Sequence, residues 1–386
     1  MAEPQHTLDT QFDPEDEYRP EPEPEPQPPA WMDGSLRIGI HTSIAGGYRN
    51  ALESAKKLGC NALQIFSASP RMWAGGPSRI PEADAAAFRA RREELGLGPL
   101  VVHANYLINL AAAQPMLRAR SIQAFHDELL RGLALGADFV VVHPGSHGEG
   151  DARHATAAII ESVKEASRRL RMGSFRILIE NTAGAGAVMG SRLEEVAEIV
   201  VGLNSQHVGA CVDTAHLFAA GYDIRSAAGL DATVAQIDRT IGLRNVPVLH
   251  VNDSKIPLGG RLDRHEHIGK GKIGADAFSR ILRHPRLGAS PTGGLPGRVF
   301  LAETPIEHPG DDRRNVAMLW ELAGLKEQAP AADKGFSMLT AAMKHRVLRK
   351  RRPARKTRRA RGTTKRKGKR ANARKSASKR KKRVRR

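Results

Sequence analysis

Cysteine is scarce in this chain of 386 residues: Cys60 and Cys211 are the only two. They cannot build a disulfide framework and are too few for a cysteine-type zinc module, which agrees with a reducing compartment. Any metal must therefore be held by histidines and carboxylates. No run approaches the roughly 20 apolar residues of a membrane span, and the acidic, Pro-rich N-terminus has neither the basic start nor the apolar segment of a signal peptide. A soluble, cytoplasmic protein that makes no membrane contact is expected. Aromatic residues are few, at 4 %, but 40 % of the chain is hydrophobic, enough to bury a sizeable core.

Acid is missing altogether from residues 344–386, which hold twenty-five Lys and Arg, whereas residues 1–33 hold ten acids and one Arg. The net charge of +20 thus belongs to a tail, and residues 34–343 carry only about +4. Three blocks follow: an acidic arm (1–33), a globular domain (34–330), and a linker with a basic tail (331–386). The EPEPEPQPP run at 21–29 favours an extended, solvated arm. The tail is low in complexity, so it is expected to be disordered alone and to condense on nucleic-acid phosphates with strongly salt-dependent affinity. Nucleoid association fits that reading, and nuclear targeting is the competing one for a eukaryotic host.

Between the tails lie eight short β-branched or apolar runs, each followed by a longer Ala/Leu/Glu/Arg-rich segment: 36–42, 62–68, 99–105, 138–145, 175–182, 208–216, 246–253 and 298–305. Continuous apolar runs suit strands covered on both faces, and strand–helix alternation implies parallel pairing. The expectation is an α/β fold, a (β/α)8 TIM barrel, with disordered tails.

Six of these runs end in a residue able to bind a divalent metal: His103, His143, Glu180, Asp213, His250 and Glu303. Two positions earlier, on the same strand face, stand Val101, Val141, Leu178, Cys211, Val248 and Leu301. An apolar floor would then close beneath a ring of ligands at the C-terminal mouth, where barrel active sites sit. Singly, each polar residue reads as a hydrogen-bonded loop anchor. Together they would repel and desolvate one another unless cations compensated them. His216 follows Asp213 by three, and RLDRHEHIG places Asp263 and His265 two apart, on one side if that segment is extended. This nitrogen and oxygen set suits zinc or manganese. Cys211 reads as a small core residue. His41 ends its strand beside the ring, and His126, His154 and His207 read as surface residues. The glycines of NTAGAGAVMG (181–190) lack a following GK[ST] and read as a flexible active-site loop.

From Ile38 to Thr304 the sequence resembles the endonuclease IV family, the metal-dependent abasic-site endonucleases of DNA repair. HANYLINL (103–110), HPGSH (143–147), IENTAG (179–184), VDTAHLFAAGYD (212–223), HVNDSK (250–255), RLDRHEHIG (261–269) and AETP (302–305) carry the resemblance. It implies three zinc ions per chain, with manganese an option at one site. His103, His143 and Glu180 would hold the first ion. Glu180 would bridge to a second, held also by Asp213, His250 and Glu303, and His216, Asp263 and His265 would hold the third. The implied reaction is hydrolysis 5′ to abasic sites in double-stranded DNA by a metal-bound hydroxide, with Glu180 positioning it, and trimming of blocked 3′ ends. The family's wedge residues match Arg71, Tyr106 and Leu107, with Met72 standing where a polar residue is expected. A monomer is expected, since no oligomerisation signal appears.

Two rivals remain at this stage. A metal-dependent sugar isomerase or epimerase on the same barrel needs neither the third ligand set nor the Tyr-Leu wedge. A non-enzymatic nucleoid protein would act through the basic tail alone.

Overall fold

The computed structural model describes residues 35–73, 79–288 and 298–330. The acidic arm and the basic tail lie outside the described residues.

Each of the eight expected runs forms a strand: β1 (Arg37–Thr42), β2 (Ala62–Phe66), β3 (Leu100–His103), β4 (Phe139–Val142), β5 (Arg176–Glu180), β6 (Val208–Asp213), β7 (Val248–His250) and β10 (Val299–Ala302). They pair in parallel and close into a barrel in the order β1-β10-β7-β6-β5-β4-β3-β2. Helices α1 (Tyr48–Lys57), α2 (Glu82–Glu94), α3 (Pro115–Ala134), α4 (Ala152–Ser167) and α5 (Leu193–Leu203) follow the first five strands. The pair α6 (Thr214–Ala220) and α7 (Ala227–Thr240) follows β6, and α8 (Ala275–Arg283) and α9 (Asp311–Ala323) complete the ring. The architecture is the TIM barrel read from the sequence.

Strand alternation sorts the core into two shells. Ile38, Ile40, Leu63, Ile65, Val140, Val142, Ile177 and Ile179 point outward into one cluster with the helices. The helices supply matching stripes; α4, for example, buries Ala155, Ala158, Ile159, Ser162, Val163 and Ala166 at helical spacing, and its N-cap Asp151 accepts from the Arg153 N–H at 2.9 Å. A second cluster fills the barrel: Ala62, Val101, Phe139, Val141, Leu178, Cys211, Val248, Val299 and Leu301. All six expected floor residues belong to it. Gly39 of β1 is required beside them, because a Cβ there would lie 2.3 Å from the Ala62 carbonyl oxygen and 2.7 Å from Leu301.

One element escaped the sequence reading. Between β7 and α8 the chain makes a small antiparallel pair, β8 (Asp253–Ser254) with β9 (His265–Glu266), so His265 does stand on an extended segment. Among the described residues no helix is long and apolar enough to cross a membrane.

Candidate metal centre

Directly above the apolar floor the inward side chains turn polar. Glu180, at the end of β5, is fully buried and lies among imidazoles: His250 Nδ1 at 2.8 Å, His103 Nε2 at 3.3 Å, His143 Nε2 at 3.4 Å and His216 Nδ1 at 3.5 Å. His250 Nδ1 is also 3.4 Å from Glu303. On the far side Asp263 lies 3.3 Å from His216 Nε2 and 3.2 Å from His265 Nε2, while Asp213 lies 3.8 Å from the latter. All nine residues singled out from the sequence come together at the mouth.

The backbone fixes which nitrogen each ring presents. His103 Nδ1 is 2.8 Å from the Ala104 carbonyl, His216 Nδ1 3.0 Å from that of Asn181, and His265 Nδ1 3.2 Å from that of Glu303. A ring nitrogen tethered to a carbonyl carries a proton, so in the neutral ring Nε2 is the nitrogen whose lone pair a cation would take. His265 Nε2 is buried and makes no hydrogen bond. Donor atoms that mutually approach within 4.8 Å form the groups His103–His143–Glu180, Glu180–Asp213–His250–Glu303 and Asp213–His216–His265, and Cys211 of the floor comes equally close to Glu180 and His250. The first two are the sets expected for the first and second ions. The third differs from the expected set: Asp213 takes the place of Asp263 in the group, while half-exposed Asp263 lies against both histidines from outside it.

Electrostatics points the same way. Burial disfavours charge on Glu180, but His250 and His143 together with hydrogen bonds from His103 and His250 hold its carboxyl well below the usual range. Burial also opposes protonation of His216 and His265, yet Asp213 and Asp263 outweigh it and raise them to about 10 and about 9. Carboxylates kept ionised in a dry interior demand positive charge beside them. The cluster's nitrogens and acceptor oxygens fit divalent cations of the zinc or manganese type, and the one thiol within reach, Cys211, is kept protonated by burial.

Three residues supporting this ring were missed. Asn252 donates to Asp213 Oδ2 at 2.6 Å and accepts the Glu303 N–H at 2.7 Å; Asn181 accepts the Asp213 N–H at 2.7 Å. Gln64 touches His250, Glu303 and His41. The available signal was, for Gln64, a polar residue within an otherwise apolar strand and, for Asn181 and Asn252, an amide one or two residues beyond a strand-end ligand. Asp213 itself also caps α6, accepting the His216 N–H at 2.7 Å, which locks those two ligands together.

Several readings change. The 181–190 segment is not a loose loop: Asn181, Thr182, Ala183, Met189 and Gly190 are buried, Thr182 N–H donates to the Gly190 carbonyl at 3.0 Å and Met189 N–H to that of Gly145 at 2.9 Å. Of His126, His154 and His207 only His154 is exposed; His126 Nδ1 meets the Ala166 carbonyl at 2.7 Å. Cys211 is buried in the floor, and burial pushes its thiol up to about 12.

An open cleft of about 490 Å³ lies over the centre, lined by His41, Phe66, His103, Tyr106, His216 and Ile306 among others. Tyr106 is 60 % exposed on its rim, edge-on to Phe66 at 5.2 Å and 6.1 Å from His103. Arg71 is exposed and Leu107 partly so. Asn105 ties their two loops together, donating to the Ser69 and Met72 carbonyls at 3.1 and 2.9 Å and accepting the Leu107 N–H at 2.8 Å. Arg120 packs over Trp73 at 4.5 Å and steadies the same loop.

The sequence pattern of the xylose isomerase-like TIM barrel matches residues 52–312. A protein of Solibacter usitatus described as "Probable endonuclease 4" is 46 % identical over 300 residues, which span 77 % of this chain and all of that relative. The remaining quarter of this chain has no counterpart there. The crystal structure of endonuclease IV from Thermus thermophilus superposes with a TM-score of 0.64 at 38 % identity, covering 75 % of this chain and 99 % of that one. A D-tagatose 3-epimerase-like protein, 19 % identical with a TM-score of 0.55 over 76 % of this chain and 99 % of its own, shares the fold alone. With relatives this similar along almost their whole length, the chain belongs to the endonuclease IV family within the xylose isomerase-like TIM barrels.

Proposed function

We propose that this chain is a DNA repair endonuclease that hydrolyses the phosphodiester 5′ to abasic sites in duplex DNA, leaving a 3′-hydroxyl and a 5′-deoxyribose phosphate, and that trims blocked 3′ ends at the same centre. The observation that carries the reading is Glu180, fully buried with four imidazole nitrogens within 3.5 Å. Such a carboxylate has a use where cations share it.

Three zinc ions, or two with one manganese, are the proposed complement. His103, His143 and Glu180 would hold one, Glu180, Asp213, His250 and Glu303 the second, and His216, Asp263 and His265 the third. When bound, these cations supply the charge that makes a water ionisable near neutral pH and offsets the negative charge of a phosphodiester in displacement. The chain's residues do the rest. Asn181 and Asn252 orient Asp213, and Glu180 keeps its oxygens toward four different rings. The partly covered ring of Tyr106 and the nearby Glu303 carboxylate raise its hydroxyl above the ordinary value, so at neutral pH it is protonated and can donate a hydrogen bond to DNA. A cleft of about 490 Å³ is sized for one extruded sugar phosphate, not a duplex, and an abasic nucleotide costs least to extrude. Arg71, Tyr106 and Leu107 on the rim would fill the gap it leaves in the stack. The basic tail adds sequence-independent hold on phosphates.

The His216–Asp263–His265 set and the exposed Tyr106 favour this over sugar chemistry, which needs neither. The deciding experiment is incision of a duplex with a single abasic site by the full chain and by Glu180→Gln, beside an undamaged duplex. Cutting 5′ to the lesion, lost in the variant, is expected. A protein holding three metals that cuts neither duplex would overturn the proposal.

A further inference from the structure

Gln64 lies in the middle of β2 and is fully buried, its side chain on the inward face between Ala62 below and Phe66 above. Phe66 of the same strand packs edge-on against His103 at 5.7 Å, but it is Gln64 that hydrogen-bonds to the ligand ring, and its amide has three partners. Its oxygen is 2.8 Å from His250 Nε2, its nitrogen donates to Glu303 Oε1, and the same nitrogen is 3.0 Å from His41 Nδ1.

The orientation of the amide follows from those partners. An ionised carboxylate only accepts, so the Gln64 nitrogen must face Glu303; reversing the amide would press two acceptors together. The Gln64 oxygen then faces His250 Nε2, which must carry the proton. In the neutral ring the His250 lone pair is then on Nδ1, where a cation shared with Glu180 and Glu303, 2.8 and 3.4 Å away, would take it; with no cation there Nδ1 carries a second proton and donates to Glu180. The second Gln64 N–H is accepted by His41 Nδ1, which places the His41 proton on Nε2. One amide thus sets the tautomers of two histidines and the rotamer of a carboxylate.

The other rings differ in kind. Three of the four, His103, His216 and His265, are each tethered to a backbone carbonyl, which no substitution of a side chain removes. His250 rests on a side chain. We infer that Gln64 is the positioning residue of one cation site, fixing His250 and Glu303 as ligands of the second ion while leaving the other two sites independent of it. The inference rests on the proposed metal centre. It also explains how a neutral, polar residue is tolerated in a barrel interior: every hydrogen-bonding atom of the amide is used.

The test uses the zinc-loaded full chain, with metal content measured by mass spectrometry and release followed with a chromophoric chelator. In Gln64→Leu, one of three zinc equivalents should be held roughly 10–100-fold more weakly, the usual cost of losing such a supporting partner. The other two should be released as in the unaltered protein, with unchanged far-ultraviolet circular dichroism. Gln64→Glu keeps the shape and an acceptor for His250 but loses the donor to Glu303; it should loosen the same single equivalent, and it decides the question should the leucine variant fail to fold. Unaltered release of all three equivalents, or equal loosening of all three, would overturn the role. An unaltered protein that holds no zinc would instead overturn the metal centre itself.

Discussion

Replacing Asn105 by Ala should weaken recognition of the lesion and spare the cutting step. The side chain makes three hydrogen bonds, two to the loop carrying Arg71 and one within its own loop, and so sets the spacing between Arg71, Tyr106 and Leu107. A hydrogen bond contributes about 0.5–1.5 kcal/mol net, and water will replace part of what is lost at this partly exposed position, leaving about 1–2 kcal/mol to be met on binding. That corresponds to a roughly 5–30-fold weaker half-saturation for a duplex with one abasic site. The nine proposed ligands do not contact Asn105, so the single-turnover rate at saturation should stay within about twofold of the unaltered rate. The assay is single-turnover incision across a range of enzyme concentrations. A hundredfold fall in the saturating rate with unchanged half-saturation would refute the reasoning, because it would place Asn105 in the chemistry; no change in either would show that the rim does not read the lesion.

Glu180→Gln removes the charge shared by four imidazoles and should lower both the zinc content and the saturating rate, the latter by at least about 10²–10³-fold; Glu303→Gln should do the same more mildly, and full activity there would remove Glu303 from the site. Asp312, in the first turn of α9, has one carboxylate oxygen buried without a partner, and burial together with Asp311 raises its pKa to about 6. The folded chain then holds a proton that the unfolded chain releases, so stability falls as pH rises between about 4 and 6. Asp312→Asn should therefore be stabilised by about 1–2 kcal/mol at pH 8, the full shift being discounted for partial exposure, with little gain near pH 4; equal gains at both, in urea melts, would contradict this account. Removing residues 343–386 should flatten the salt dependence of binding to undamaged DNA while leaving the saturating incision rate unchanged; an unaltered salt slope would show that the tail does not bind phosphates.

What the sequence made legible was whatever obeys a period. Inside a closed parallel barrel both strand faces are apolar, so β1 to β7 and β10 stand out as runs, and the two-residue alternation that puts Val101, Leu178 and Val248 in the floor also puts His103, Glu180 and His250 above it. Nothing periodic announces β8 and β9, which are two residues each and exist because Asp253 accepts from the N–H groups of Gly271, Ile273 and Gly274 and pins the returning loop. Gly-rich composition at 181–190 suggested looseness, but its conformation is decided by carbonyls and N–H groups of the loop after β4, Gly145 and His147, and by the Cys211 carbonyl of β6. The deeper omission was Gln64. Its two partners among the ligands lie 186 and 239 residues away, and β2, unlike six of the other strands, does not end in a ligand. Yet its type alone carried information: an amide buried without partners costs roughly 2–7 kcal/mol on transfer from water. In a strand reading ALQIF, on the face shared with Ala62 and Phe66, such a residue has to be satisfied by something inside the barrel. The polar level there is the ligand ring, so Gln64 had to touch it, and the same argument applies to His41 on β1.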